Sequence, residues 1–238
     1  QRVTALLNGE IQIAQFIPPH LMKRVAGGKN TKLSFTDSVE IMMLLMNPNF
    51  KPWANKKLRQ AVAHAIDRDK IIKTILQGMA KKLKGAIGPG QIGYDAARSK
   101  KFDLKYDPAL ARKLVKEAGY PNGVDVEMST PVGRYVNDKI ISQAIVPMLA
   151  KVGIRAKLLT PEWSTQWANV RKGKRSFFYQ GRGSVIDPGP ALAQYFKTGV
   201  SPRIKYSNPK YDALFDEVAR EFNPKKRQKL INDAIAIL

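Results

Sequence analysis

Cysteine is absent from the 238 residues, which excludes a disulfide framework, a thiolate zinc site and a cysteine nucleophile. Histidine is almost as scarce. His20 and His64 are the only two, which argues against a two-histidine metal centre and leaves a general base without an evident orienting partner. Acidic side chains are few: 19 Asp and Glu stand against 41 Lys and Arg, a formal net charge of +22. No apolar run approaches the roughly 18 residues that span a membrane, and the longest, Ile41 to Met46, reads as a buried strand. The chain opens on Gln1-Arg2 without Met, signal peptide or lipid-attachment Cys, and stops inside a helical pattern at Ala234-Ile235-Ala236-Ile237-Leu238. The expectation is a chain cut at both ends, whose missing targeting segment says nothing about the parent protein.

What is present is globular in composition. At 44% hydrophobic and 25% charged, the chain can bury a core as one large domain or two small ones. The positive field favours anionic partners, so a basic nucleic-acid-binding domain is one reading. The clusters Lys81-Lys82-Lys84, Arg171-Lys172-Lys174-Arg175 and Lys225-Lys226-Arg227-Lys229 carry no interleaved stacking aromatics, and no helix-turn-helix, zinc-finger or RNP-like pattern accompanies them. They read first as solvated faces. A hydrolase is the third reading. Against it, Arg182-Gly183-Ser184-Val185 lacks the G-x-S-x-G setting of a nucleophilic serine, and no partner histidine is apparent.

Periodicity predicts alternating helices and strands. Asn55 to about Gln77 carries Leu58, Val62, Ala65, Ile66, Ile72, Ile75 and Leu76 along one helical stripe, with Gly78 as a stop. Four later helices are announced by a capping residue before proline, at Asp107-Pro108, Thr160-Pro161, Asn208-Pro209 and Asn223-Pro224. Gly119 and Gly173 close the first two. Val124 to Thr130 alternates as a half-buried strand, Asn137 to Val152 is a helix ended by Gly153, and Ile154 to Leu159 and Phe177 to Tyr179 are strands. Strand, helix, strand, helix, strand is a βαβ sheet, whose ligands gather at the strands' carboxyl ends. That puts Pro131 to Tyr135 and Gln180 to Asp187 near one mouth.

Five segments, in order, resemble the peptide-type (family 5) solute-binding proteins of ABC importers. Leu58-Arg59-Gln60-Ala61-Val62-Ala63-His64-Ala65-Ile66-Asp67-Arg68 is similar to the helix that opens that family's C-terminal lobe. Asn47 to Trp53 resembles its lead-in. Tyr106-Asp107-Pro108 with Glu117-Ala118-Gly119-Tyr120-Pro121-Asn122-Gly123, and Tyr206-Ser207-Asn208-Pro209-Lys210-Tyr211-Asp212-Ala213-Leu214, match later turns. Ala5 to Ala14 resembles an element of the other lobe, with Gln12 where Asp is usual. The resemblance implies an α/β fold of the periplasmic-binding-protein type II. Residues 1–38 would be a remnant of the first lobe and hinge crossing, and 39–238 the C-terminal ligand-binding lobe, truncated at its end.

It also implies a non-enzymatic role with no cofactor and no metal. The protein would capture a peptide, or a peptide-like or acidic solute, between two lobes and deliver it to an ABC transporter permease. It would be periplasmic, or extracellular and membrane-tethered. The expected partners are a small-molecule or peptide ligand and the permease, with no nucleic acid, membrane contact only through the permease, and a monomeric state. Pro131-Val132-Gly133-Arg134-Tyr135-Val136-Asn137-Asp138 is similar to the family's loop whose arginine pairs with a peptide carboxylate, so Arg134 is the first ligand candidate. Gly183-Ser184-Val185-Ile186-Asp187-Pro188 places Ser184 where the family carries the acid that meets an α-ammonium. A hydroxyl supplies no countercharge there. With Arg182 beside it, the change points to a ligand poor in positive charge: an N-blocked peptide, an acidic conjugate or a sugar derivative. Tyr135 and Trp163 complete the ligand candidates, whereas Trp167 is read as core and Asp187 as a turn former.

Overall fold

Side-chain caps set most helix starts in the computed structural model, which describes residues 1–183, 185–201 and 203–238. An N-terminal pair, α1 (Arg2–Leu7) and α2 (Pro19–Ala26), precedes strand β1 (Ile41–Met46). Helices α3 (Lys56–Ala65), α4 (Arg68–Thr74), α5 (Ala96–Ser99) and α6 (Pro108–Glu117) follow. Then come β2 (Val124–Ser129), α7 (Asp138–Ala150), β3 (Ile154–Leu159), α8 (Trp163–Arg171) and β4 (Phe177–Arg182). Helices α9 (Gly189–Phe196), α10 (Pro209–Arg220) and α11 (Pro224–Ile235) close the chain.

Asp107, Asn208 and Asn223 cap α6, α10 and α11 as their sequence context predicts, each side chain accepting a first-turn amide at 2.8 to 3.1 Å. Such a cap is worth ~1 kcal/mol. Two expected helices differ. The stretch from Asn55 to Gln77 is not continuous, because Ile66 is extended (φ −97°, ψ 115°) and the Asp67 carboxylate accepts the Lys70 amide at 2.9 Å, starting α4 afresh. Helix α8 begins at Trp163, after Pro161. The extended Glu162 (φ −61°, ψ 153°) is its cap and accepts the Ser164 amide at 2.8 Å.

The sheet runs in the order β1-β4-β2-β3. β2 pairs in parallel with β3 over its whole length, from Val124 opposite Ile154 to Ser129 opposite Leu159, and with β4 through Ser129 and Phe178. β1 is antiparallel to β4, which extends past the expected Tyr179 because Met42 and Ile41 pair with Gly181 and Arg182. β1 is therefore an edge strand, half-buried, with Ile41 and Leu45 inside and Met42 exposed.

Strand alternation splits the interior into separate cores. Phe177 and Tyr179 of β4 face one that holds Trp53, α3, α6 and α7, with the Trp53 and Phe177 rings 4.6 Å apart. Phe178 faces the other side, with Leu45, Val170, Tyr195 and Ile204. A third cluster, built on Leu192, Tyr211, Phe215 and Ile231, binds α9, α10 and α11 together.

Candidate ligand-binding site

Beyond β2, the chain turns through Gly133 at φ 73° and enters α7 through the left-handed Asn137, φ 55°. One buried carboxylate shapes this turn. Asp138 Oδ2 accepts the amides of Arg134 (2.9 Å) and Tyr135 (3.0 Å), while Oδ1 accepts those of Gly133 (3.1 Å) and Lys139 (2.8 Å). Successive amides converging on one anion satisfy donors that a helix start would otherwise leave open. In the sequence Asp138 stands only as the last residue of the loop motif that carries Arg134. Its position at the first turn of a helix, just after a glycine turn, is the signal that would have singled it out.

Tyr135 is seated by an absence. A Cβ on Gly181 would come within 2.6 Å of the Tyr135 Cε1, so only glycine at that point of β4 admits the ring. Tyr179 and Trp163 meet Tyr135 edge-on, at centroid distances of 6.2 and 6.1 Å. Burial pushes the Tyr135 phenol upward, against the opposing influences of a hydrogen bond with the Gly181 backbone and of the Arg134 charge. The Arg134 guanidinium rests on this aromatic platform, its Cζ 4.9 Å from the Tyr135 centroid and 5.1 Å from that of Trp163. Among the described residues its side chain has no carboxylate partner and no hydrogen-bond acceptor. A guanidinium lying on aromatic faces leaves its in-plane N–H groups open to a carboxylate or phosphate.

Behind this group the aromatic stack continues. Trp163 lies on Trp167 (5.5 Å, 18° between planes), the Arg203 guanidinium sits 4.8 Å from Trp167 and 5.0 Å from Tyr195, and Tyr195 accepts a hydrogen bond from Gln180 at 2.8 Å. Trp167 packs partly buried against the Phe178 cluster, in keeping with its reading as core. Arg203, buried between two rings, was not singled out in the sequence. Gln166, also buried, fixes α8 to β2 by donating to the Ser129 hydroxyl at 3.0 Å.

Three of the five expected ligand residues, Arg134, Tyr135 and Trp163, thus come together. Arg182 stands apart. It lies on the face of β4 opposite Tyr179 and Gly181, only 4% exposed, donating to the Ala86 carbonyl at 2.7 Å, with its Nε lacking an acceptor and burial lowering its pKa. Ser184 lies outside the described residues. Asp187 forms a turn with the Gly189 amide (2.8 Å) and an ion pair with Arg227 (2.8 Å). His64 is held by its ring Nδ1 against the Lys105 carbonyl at 2.8 Å. No group of three or more His, Cys, Asp or Glu among the described residues is placed to hold a metal ion.

Comparison with known proteins is consistent across sequence and structure. The glutathione-binding protein GsiB of Pectobacterium atrosepticum is 31% identical over 246 residues, covering 98% of this chain and 46% of that protein. The dipeptide-binding protein of Escherichia coli is 27% identical over 245 residues, covering 100% and 45%. The chain therefore spans about half the length of the curated relatives it matches. Among solved structures, AgaA from A. tumefaciens R10 in complex with agropinic acid superposes with a TM-score of 0.87 at 28% identity, over 99% of this chain and 48% of that one. Helicobacter pylori DppA in complex with the peptide STSA gives 0.90 at 24% identity, over 99% and 46%. These likenesses fix the fold as that of the type II periplasmic binding proteins. The family profile described as bacterial extracellular solute-binding proteins, family 5 middle, matches residues 1–203, and the chain belongs to that family.

Proposed function

We infer that the chain is one jaw of a two-lobed extracytoplasmic solute-binding protein that hands an acidic, peptide-like solute to an ABC permease, and that Arg134 grips the solute's carboxylate. Residues 39–238 form the gripping lobe, and residues 1–38 belong to the first lobe and the crossing between the two. In support, none of the residues in the three cores precedes Met43, and Ile13, Phe16 and Phe35 are exposed. Closure follows from differential contact: a solute touching both lobes in the closed state and one in the open state shifts the hinge equilibrium by that difference.

The observation that carries the reading is the Arg134 guanidinium on Tyr135 and Trp163, in no ion pair with a carboxylate of the described residues. Ser184, in place of an acid, speaks for a ligand lacking a free ammonium. For the Arg134 contact, one relative is named for binding glutathione and one similar structure holds agropinic acid, both molecules that carry carboxylates. Calorimetry on the intact protein with N-acetylated dipeptides, agropinic acid and free-amine dipeptides tests this. The acidic or N-blocked solutes bind in preference, and Arg134→Gln weakens them roughly 10- to 100-fold, the worth of a charged bidentate contact. Unchanged affinity in Arg134→Gln, or a preference for free-amine dipeptides, overturns it.

A further inference from the structure

Helices α3 and α6 lie antiparallel, side by side. Lys57 meets Glu117 at 2.8 Å and Asn55 donates to the Ala118 carbonyl at 3.1 Å at one end, while the Asp107 amide donates to the His64 carbonyl at 2.9 Å at the other. Their inner faces, Leu58, Ala61, Val62, Ala65, Ala111 and Val115, are spent on the first core. The exposed outer positions are Lys56, Lys57, Ala109, Arg112, Lys113, Lys116 and Glu117, five cations against one carboxylate. Arg59 is drawn inward to the carbonyls of Trp53 and Ala54. The two helices carry one carboxylate, Glu117, which Lys57 and Lys113 share.

Exposed apolar side chains stand at both ends of this plate. Phe50 precedes α3, and Leu104 and Tyr106 precede α6. The α10 and α11 pair is different. It carries Lys and Arg as well, but interleaves Asp212, Asp216, Glu217 and Asp233, and Asp216, Asp187 and Asp233 neutralise Lys197, Arg227 and Lys229. Packing does not require an acid-poor plate, since exposed like charges repel.

In departure from the expectation that the membrane is met only through the permease, we propose that the α3 and α6 face docks directly onto an anionic lipid bilayer, its lysines and Arg112 taking lipid phosphates while Phe50, Leu104 and Tyr106 enter the headgroup layer. Surface lysine and arginine are attracted to an anionic leaflet, and aromatic and aliphatic side chains add area at the interface. A surface two paired helices wide, with its cations spread over both, suits a bilayer, and it carries none of the interleaved stacking rings that single strands use.

The test is flotation of the intact protein with vesicles of phosphatidylcholine alone and with about 30% phosphatidylglycerol, at roughly 50 and 500 mM salt. Binding is expected only with phosphatidylglycerol and is lost at the higher salt. The triple variant Arg112→Gln, Lys113→Gln, Lys116→Gln should weaken it on the order of 100-fold. The equally discharged control Lys225→Gln, Lys226→Gln, Lys229→Gln should weaken it less than about threefold. Far-UV circular dichroism and thermal melting report that both variants are folded, and the pair Lys56→Gln, Lys57→Gln gives the same readout should the first triple misfold. Equal losses in both triples, equal binding to neutral vesicles, or displacement from vesicles by duplex DNA at matched phosphate would each overturn the proposal.

Discussion

Replacing Asp138 with asparagine changes one atom and should dismantle the loop that carries Arg134. The carboxylate accepts four backbone amides, two on each oxygen. Asparagine offers one acceptor oxygen, and its NH2 would point at the other two donors. Whichever way the amide is turned, two N–H groups beside a side chain only 3% exposed lose their acceptor. A buried donor left unpaired costs about 1 to 3 kcal/mol, so Asp138→Asn should lose roughly 3 kcal/mol of stability, at the severe end for point substitutions. Because Arg134 and Tyr135 are among the released residues, solute affinity should fall as well, beyond what the unfolded fraction explains. Urea denaturation read by circular dichroism gives the first quantity and calorimetry on the folded fraction the second. A stability loss below about 0.5 kcal/mol with unchanged affinity would refute the reasoning.

Gly181→Ala puts a Cβ 2.6 Å from the Tyr135 ring and 3.0 Å from the Met42 sulfur. Overpacking of this kind costs about 1 to 3 kcal/mol, and the ring should be expelled from its seat, with solute affinity reduced. Wild-type affinity and melting temperature would show that the ring sits elsewhere. At alkaline pH, burial raises the phenols of Tyr135, Tyr179, Tyr195 and Tyr211 above their ordinary 10.0. A raised folded-state value means that the stability these groups contribute is complete below pH 10.0 and is lost as pH rises through the folded values. In an absorbance titration these four tyrosinates should form only as ellipticity collapses. Ionisation of all eight tyrosines as free phenols with ellipticity intact would contradict this.

Local chemistry made much of the fold readable. Asp107, Asn208 and Asn223 each stand before proline, and that pairing both satisfies a first-turn amide and presets the backbone, so those three starts are fixed by neighbours in sequence. Ile66 and Asp67 were not readable in the same way, because the apolar stripe continues unbroken through them and only the backbone direction changes. The edge position of β1 was hidden too, since an apolar run looks the same at an edge as at the centre of a sheet. At the site, Arg134, Tyr135 and Trp163 were legible as residue types in a loop and at a helix start. What joins them was not: Gly181 acts by lacking a side chain, and Asp138 acts through backbone amides. The side of β4 that Arg182 faces depends on the register with β1, which no local pattern encodes.

The chain has three tryptophans, and they are unevenly placed. Trp53 is sealed against Phe177, whereas Trp163 and Trp167 lie face to face, with the Arg134 guanidinium on the first and that of Arg203 on the second. The molecule thus carries an optical gauge within itself. Anything that draws Arg134 off its indole alters the emission of that pair while Trp53 supplies a constant background, so a ligand that engages Arg134 would report itself without a label.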